Sequence, residues 1–91
     1  EVALEPEEAF GRVLRELRLA RQLSQEALAF EADLQRNYVS LLERGQNSAS
    51  LKTLFKLAPV LGVSVSNLLV QVEELMKMSA RSRPKRKSAS T

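Results

Sequence analysis

A chain of 91 residues is enough for one small domain with a thin core. It contains no Cys and no His, so disulfide frameworks, Cys/His metal centres, cysteine nucleophiles and histidine acid–base catalysis are excluded. The net charge of +3 is unevenly spread: residues 79–91 carry five Lys/Arg and no acid, whereas residues 1–78 carry nine Lys/Arg against eleven Asp/Glu. Three Gly form neither a Walker-type nor a dinucleotide-type loop. No apolar run approaches the roughly 20 residues of a membrane span, and the acidic start is unlike a signal peptide. The expectation is a cytoplasmic, soluble binding module without metal or cofactor, reached by excluding membrane and secreted classes.

The apolar residues recur at spacings of three and four, which predicts helices throughout and no strand. The first helix spans about 6–21. Pro6 suits its first position, Glu7 and Glu8 suit the positive end of its dipole, and Phe10, Leu14, Leu17 and Arg21 share one face with Val13 and Ala20 beside it. The second begins after a Ser24 cap and covers about 25–32, with Leu28, Ala29 and Ala32 inward. Asp33 and Leu34 form a tight connection, and Asp tolerates the left-handed backbone such turns need.

The third helix covers about 35–44, with Tyr38, Val39 and Leu42 inward and Gly45 at its end. The fourth follows a Ser50 cap, with Leu51, Leu54, Phe55 and Ala58 as its stripe, a bend or loosened turn at Pro59, and an end at Gly62. The fifth follows a Ser64 cap and runs from about 65 to 78. The tail, 79–91, is rich in Ser, Lys and Arg and is expected to be disordered. It is either a solubilising end or a phosphate-binding arm.

Two short helices joined by about three residues must cross steeply, as in a helix-turn-helix spanning about 24–44. The outward face of the second of them bears Gln35, Arg36, Asn37, Ser40, Leu41 and Arg44. This chemistry suits the major groove: Arg pairs with guanine O6/N7, Asn or Gln with adenine N6/N7, and an outward Leu touches a thymine methyl. An ordinary polar face is the alternative, but such faces more often mix Glu with Lys, and none of the residues from Gln35 to Leu42 is acidic.

The stretch LSQEALAFEADLQRNYVSLLERG, Leu23 to Gly45, resembles the helix-turn-helix of phage-repressor (Cro-like, XRE-type) DNA-binding domains. The resemblance extends back through FGRVLRELR and forward through SLKTLFKLAPVLGVSVSNLL, about residues 10 to 70. It implies an all-α, five-helix, lambda-repressor-like domain over residues 1–78, with an extended fifth helix. It implies a phosphate-contacting and buttressing role for Gln25, and base reading by Arg36, Asn37, Ser40 and Leu41, with Gln35 at the entry to the recognition helix. Arg44, Gln46 and Asn47 match a loop that contacts backbone phosphates, and Arg18 and Glu43 a partly buried ion pair that holds the recognition helix at its docking angle. The sequence departs from the family pattern at Gln22 and Asp33, where Gly is frequent. Gln35 replaces a Ser/Thr cap, which weakens the helix start by about 1 kcal/mol.

One such domain reads few base pairs, and members of the family usually bind two half-sites about one turn apart as dimers. Leu69, Val72, Leu75 and Met76 exceed what one core contact needs, and are expected to meet a second copy; packing on the first helix is the alternative. The expected function is sequence-specific transcription regulation on an inverted-repeat operator in double-stranded DNA. The rival reading is an antitoxin, with a toxin or protein co-regulator as its principal partner. Glu7–Glu8 and Glu73–Glu74 lie on solvated helix faces, so no catalytic site is expected.

Overall fold

The computed structural model describes residues 4–81 and folds them into five helices. These are α1 (Pro6–Ala20), α2 (Gln25–Glu31), α3 (Arg36–Glu43), α4 (Leu51–Leu61) and α5 (Val65–Arg81). There is no strand among the described residues.

Each expected serine cap is in place. Ser24 Oγ accepts from the Ala27 N–H at 2.9 Å, Ser50 Oγ from Thr53 at 3.1 Å, and Ser64 Oγ from Asn67 at 3.0 Å. Each satisfies one of the four donors that a helix start leaves unpaired. Pro6 opens α1, and the N–H of Glu5 donates to the Glu8 carboxylate at 3.1 Å. Only α3 starts without a side-chain cap of these kinds: Gln35 makes no such bond.

The ends of α1 to α4 share one closing motif. Gln22, Asp33, Gly45 and Gly62 adopt left-handed φ of 59°, 59°, 74° and 78°. The following amide then reaches back to the helix: Leu23 to the Arg18 carbonyl, Leu34 to Ala29, Gln46 to Leu41 and Val63 to Ala58. This is where two of the turns lack the glycine the family pattern favours.

The core draws on every helix: Phe10, Val13 and Leu14 of α1, Leu28 and Ala29 of α2, Val39 and Leu42 of α3, Leu57 and Leu61 of α4, Leu68 and Val72 of α5. α1 lies between α3 and α5 and packs extensively on both. Ala29 is buried, and Leu34 packs half-buried beneath the turn.

Four expectations need correction. First, α1 buries Ala9, Gly11 and Arg18, while Ala20 and Arg21 are exposed. Second, α4 is rotated from the expected stripe: Leu51 (69%) and Phe55 (61%) are exposed, and Thr53, Leu57, Ala58 and Leu61 point inward. Leu57 and Leu61, four residues apart, meet the core, and the Thr53 hydroxyl beside them is partnered, 3.0 Å from Ser50 Oγ at the start of the same helix and 3.3 Å from Tyr38 Oη of α3. Third, Val72 belongs to this chain's own core, because α5 packs along α1. Fourth, α5 continues to Arg81, so residues 79–81 of the expected tail are helical. Ser79 Oγ accepts from the Leu4 N–H at 3.1 Å and ties this last turn to the start of the chain. The rest of the expected tail, 82–91, lies outside the described residues.

α4 runs through Pro59 to Leu61. No single helix among the described residues is long and apolar enough to cross a membrane.

Candidate nucleic-acid interface

α2, the turn at Asp33 and α3 form the helix-turn-helix. The turn is held from α4. Lys56 Nζ donates to the Asp33 carbonyl at 3.3 Å and stands 3.9 Å from its carboxylate. The Asp33 side chain is almost wholly exposed, so this pair adds little stability. It does set a cation beside the one carboxylate of the turn.

Gln35, Arg36 and Asn37 are exposed at the start of α3; Ser40 and Leu41 are half-buried on the same side, one turn on. Arg36 and Asn37 hold no side-chain hydrogen bond or ion pair among the described residues. Their donors are therefore free for an outside partner. Arg44 is exposed at the far end, with Nε 3.4 Å from the Ser40 carbonyl, and Gln46 and Asn47 are exposed in the loop that follows. Asn47 also borders a shallow groove floored by Phe10, Leu69 and Val72.

Behind this face lies a buried polar cluster. Arg18 Nε donates to Glu43 Oε2 at 2.6 Å, and Arg18 Nη2 donates to Oε1 at 3.0 Å. Both side chains are buried, 7% and 3% exposed. Arg18 Nη1 donates to the Leu23 carbonyl at 2.8 Å. Gln25 Nε2 donates to Glu43 Oε1 at 3.0 Å. No buried side-chain polar atom among the described residues lacks a partner. A bidentate Arg–carboxylate pair fixes orientation as well as distance. The cluster thus joins α1, the start of α2 and the end of α3, and it uses the Gln25 amide nitrogen inside the protein.

The sequence reading missed Gly11. A methyl group built on its Cα would stand 2.5 Å from the Leu42 carbonyl oxygen and 2.6 Å from that of Glu43. Backbone there meets backbone, and only glycine fits without a shift. A lone Gly inside an otherwise regular helical pattern was the available signal. Also missed were the exposed apolar groups outside the expected dimer set. Besides Leu69 (40% exposed), the exposed large apolar residues are Val70 and Met78 on α5, Leu51 and Phe55 on α4, Phe30 on α2 and Leu19 on α1. Leu75 and Met76 are half-buried and pack partly on the core.

Comparison with known proteins agrees with this arrangement. A family profile described as Helix-turn-helix matches residues 14–68. Control protein C.BamHI of Bacillus amyloliquefaciens is 46% identical over 61 residues, 66% of this chain and 75% of that protein. The restriction-modification controller protein C.AhdI of Aeromonas hydrophila superposes with a TM-score of 0.66 at 48% identity, covering 68% of this chain and 94% of that one. The clp gene regulator ClgR of Corynebacterium glutamicum superposes with a TM-score of 0.82 at 29% identity, covering 88% and 85%. With its two short crossed helices, its exposed Arg36 and Asn37 and the matched span of residues 14–68, the chain belongs to the helix-turn-helix family.

Proposed function

We propose that the protein is a sequence-specific transcription regulator that places α3 in the major groove of an inverted-repeat operator and binds as a homodimer. The observation that carries this reading is the pair Arg36–Asn37: exposed, without internal partners, and mounted on a helix whose far end is locked by Arg18 and Glu43. Arg and Asn are suited to bidentate contacts with guanine and adenine. Ser40 and Leu41 add a hydroxyl and a methyl-sized contact one turn along. Arg44, Gln46 and Asn47 supply donors for phosphates flanking the base contacts.

The resemblance to C.AhdI, a restriction-modification controller protein, supports a more specific role, the control of a restriction–modification system. The homodimer is proposed through the exposed apolar side of α5, centred on Leu69, with Leu75 and Met76 at its margin. Val72 supports that side from beneath. The basic residues of the tail act as a sequence-independent phosphate-binding arm. Regulation then follows from operator occupancy, set by dimer concentration.

A selection from a random duplex library near physiological salt tests this. An enriched inverted repeat with half-sites about one turn, ~34 Å, apart is the expected result. A single unrepeated motif contradicts the dimer. Binding without any enriched sequence contradicts specific readout and favours a protein as the principal partner.

A further inference from the structure

α1 is the element through which α3 and α5 are held relative to each other, since it packs extensively on both. Beside the shared apolar core, three polar or backbone approaches join it to α3 and the turn that follows. At Gly45, a Cβ would lie 3.2 Å from the Glu8 Cα. At Gly11, a Cβ would lie 2.5–2.9 Å from the backbone of Leu42 and Glu43. At Arg18, the guanidinium reaches the Glu43 carboxylate. The middle point is the closest and the least forgiving, because its neighbours are carbonyl groups of α3 and not movable side chains.

We propose that Gly11 is a positioning residue that sets the distance between the recognition helix and α5, and through it the half-site separation the dimer accepts. The inference rests on the reading of α3 as the recognition helix and α5 as the dimer helix. With α5 at the dimer axis, any widening of the α1–α3 contact displaces the two recognition helices relative to each other. A Cβ at Gly11 requires the contact to open by roughly 0.8 Å to reach an ordinary C···O separation of about 3.3–3.6 Å. Counted over two protomers this approaches half the rise of one base pair, about 3.4 Å. Binding constellations tolerate roughly 0.5 Å of displacement before contacts are lost. The packing of α2 on α3 does not involve Gly11, so the reading of one half-site is expected to survive.

The test uses the full chain and three kinds of duplex: two selected half-sites at the preferred spacing and at one base pair more or less, a single half-site, and a random sequence. Gly11→Ala is expected to weaken binding at the preferred spacing by about tenfold or more, the loss of a good base contact. It also narrows the preference between spacings, while single half-site and random-duplex affinities stay within about twofold. Leu57→Ala, a core truncation in α4 away from this contact, serves as the destabilised control and keeps the wild-type spacing preference. If Gly11→Ala does not fold alone, the same substitution is made in a Gln22→Gly background, which relieves a left-handed turn away from this contact. Unchanged spacing preference in each folded variant, beside a wild type with a clear preference, overturns the inference. A wild type with no spacing preference overturns the dimeric reading first, and the inference with it.

Discussion

Glu43 receives three side-chain hydrogen bonds, two from Arg18 and one from Gln25, at a site almost closed to water. A buried pair of this kind contributes little net stability against an apolar replacement, yet removing one partner strands the other charge. Glu43→Ala is therefore expected to cost about 3–5 kcal/mol in urea unfolding. The pair Arg18→Met with Glu43→Leu is expected to recover much of that loss, and to bind DNA more weakly than its stability suggests. A double variant as unstable as Glu43→Ala would mean that the pair is a net source of stability. At the turns, Gln22 and Asp33 hold φ of 59° without the freedom of glycine. Gln22→Gly is expected to stabilise by up to about 1 kcal/mol, with Asp33→Gly gaining less because Asp tolerates this region better. The left-handed turn at Asp33 was legible in the sequence because Asp tolerates that backbone, whereas the Arg18–Glu43 pair was expected only through the family resemblance, its partners lying 25 residues apart. Gly11 left only the signal of a lone Gly within a helical pattern, and what makes it necessary, the Leu42 and Glu43 carbonyls of α3, lies far away in sequence.

Helix positions and caps were readable, but helix rotation was not always so. α4 shows why. Its residues 51–61 are apolar on more than one side, so hydrophobic spacing alone leaves several orientations open; the observed one buries Leu57 and Leu61 and lets the Thr53 hydroxyl meet Tyr38. The consequence is measurable. Leu57→Ala is expected to cost about 2–5 kcal/mol, as for other fully buried leucines. Leu51→Ser and Phe55→Ser, at exposed positions, should each change monomer stability by no more than about 0.5 kcal/mol. A large loss at Leu51→Ser beside a small one at Leu57→Ala would restore the stripe expected from spacing. In α5 the same ambiguity took the opposite form. Val72 fits either a core or a partner surface by spacing, and its burial against α1 assigns it to the core.

At the scale of the whole molecule, the exposed apolar groups of α5 and the free polar face of α3 belong to one small domain linked through α1. Replacing Leu69 with Asp introduces a charge on the proposed dimer surface but outside the buried core. By light scattering at micromolar concentration, the wild type is expected to be dimeric and Leu69→Asp monomeric, with thermal unfolding of the monomer little changed. A variant that remains dimeric would move the interface to another face, the exposed Leu51 and Phe55 of α4 being next in line.

Base reading by Arg36 and Asn37 is tested by repeating the library selection with Arg36→Ala beside the wild type. The same inverted repeat is expected, with preference lost at one base position in each half-site and specific affinity lower by about 1–3 kcal/mol. An identical motif bound with unchanged affinity would contradict it.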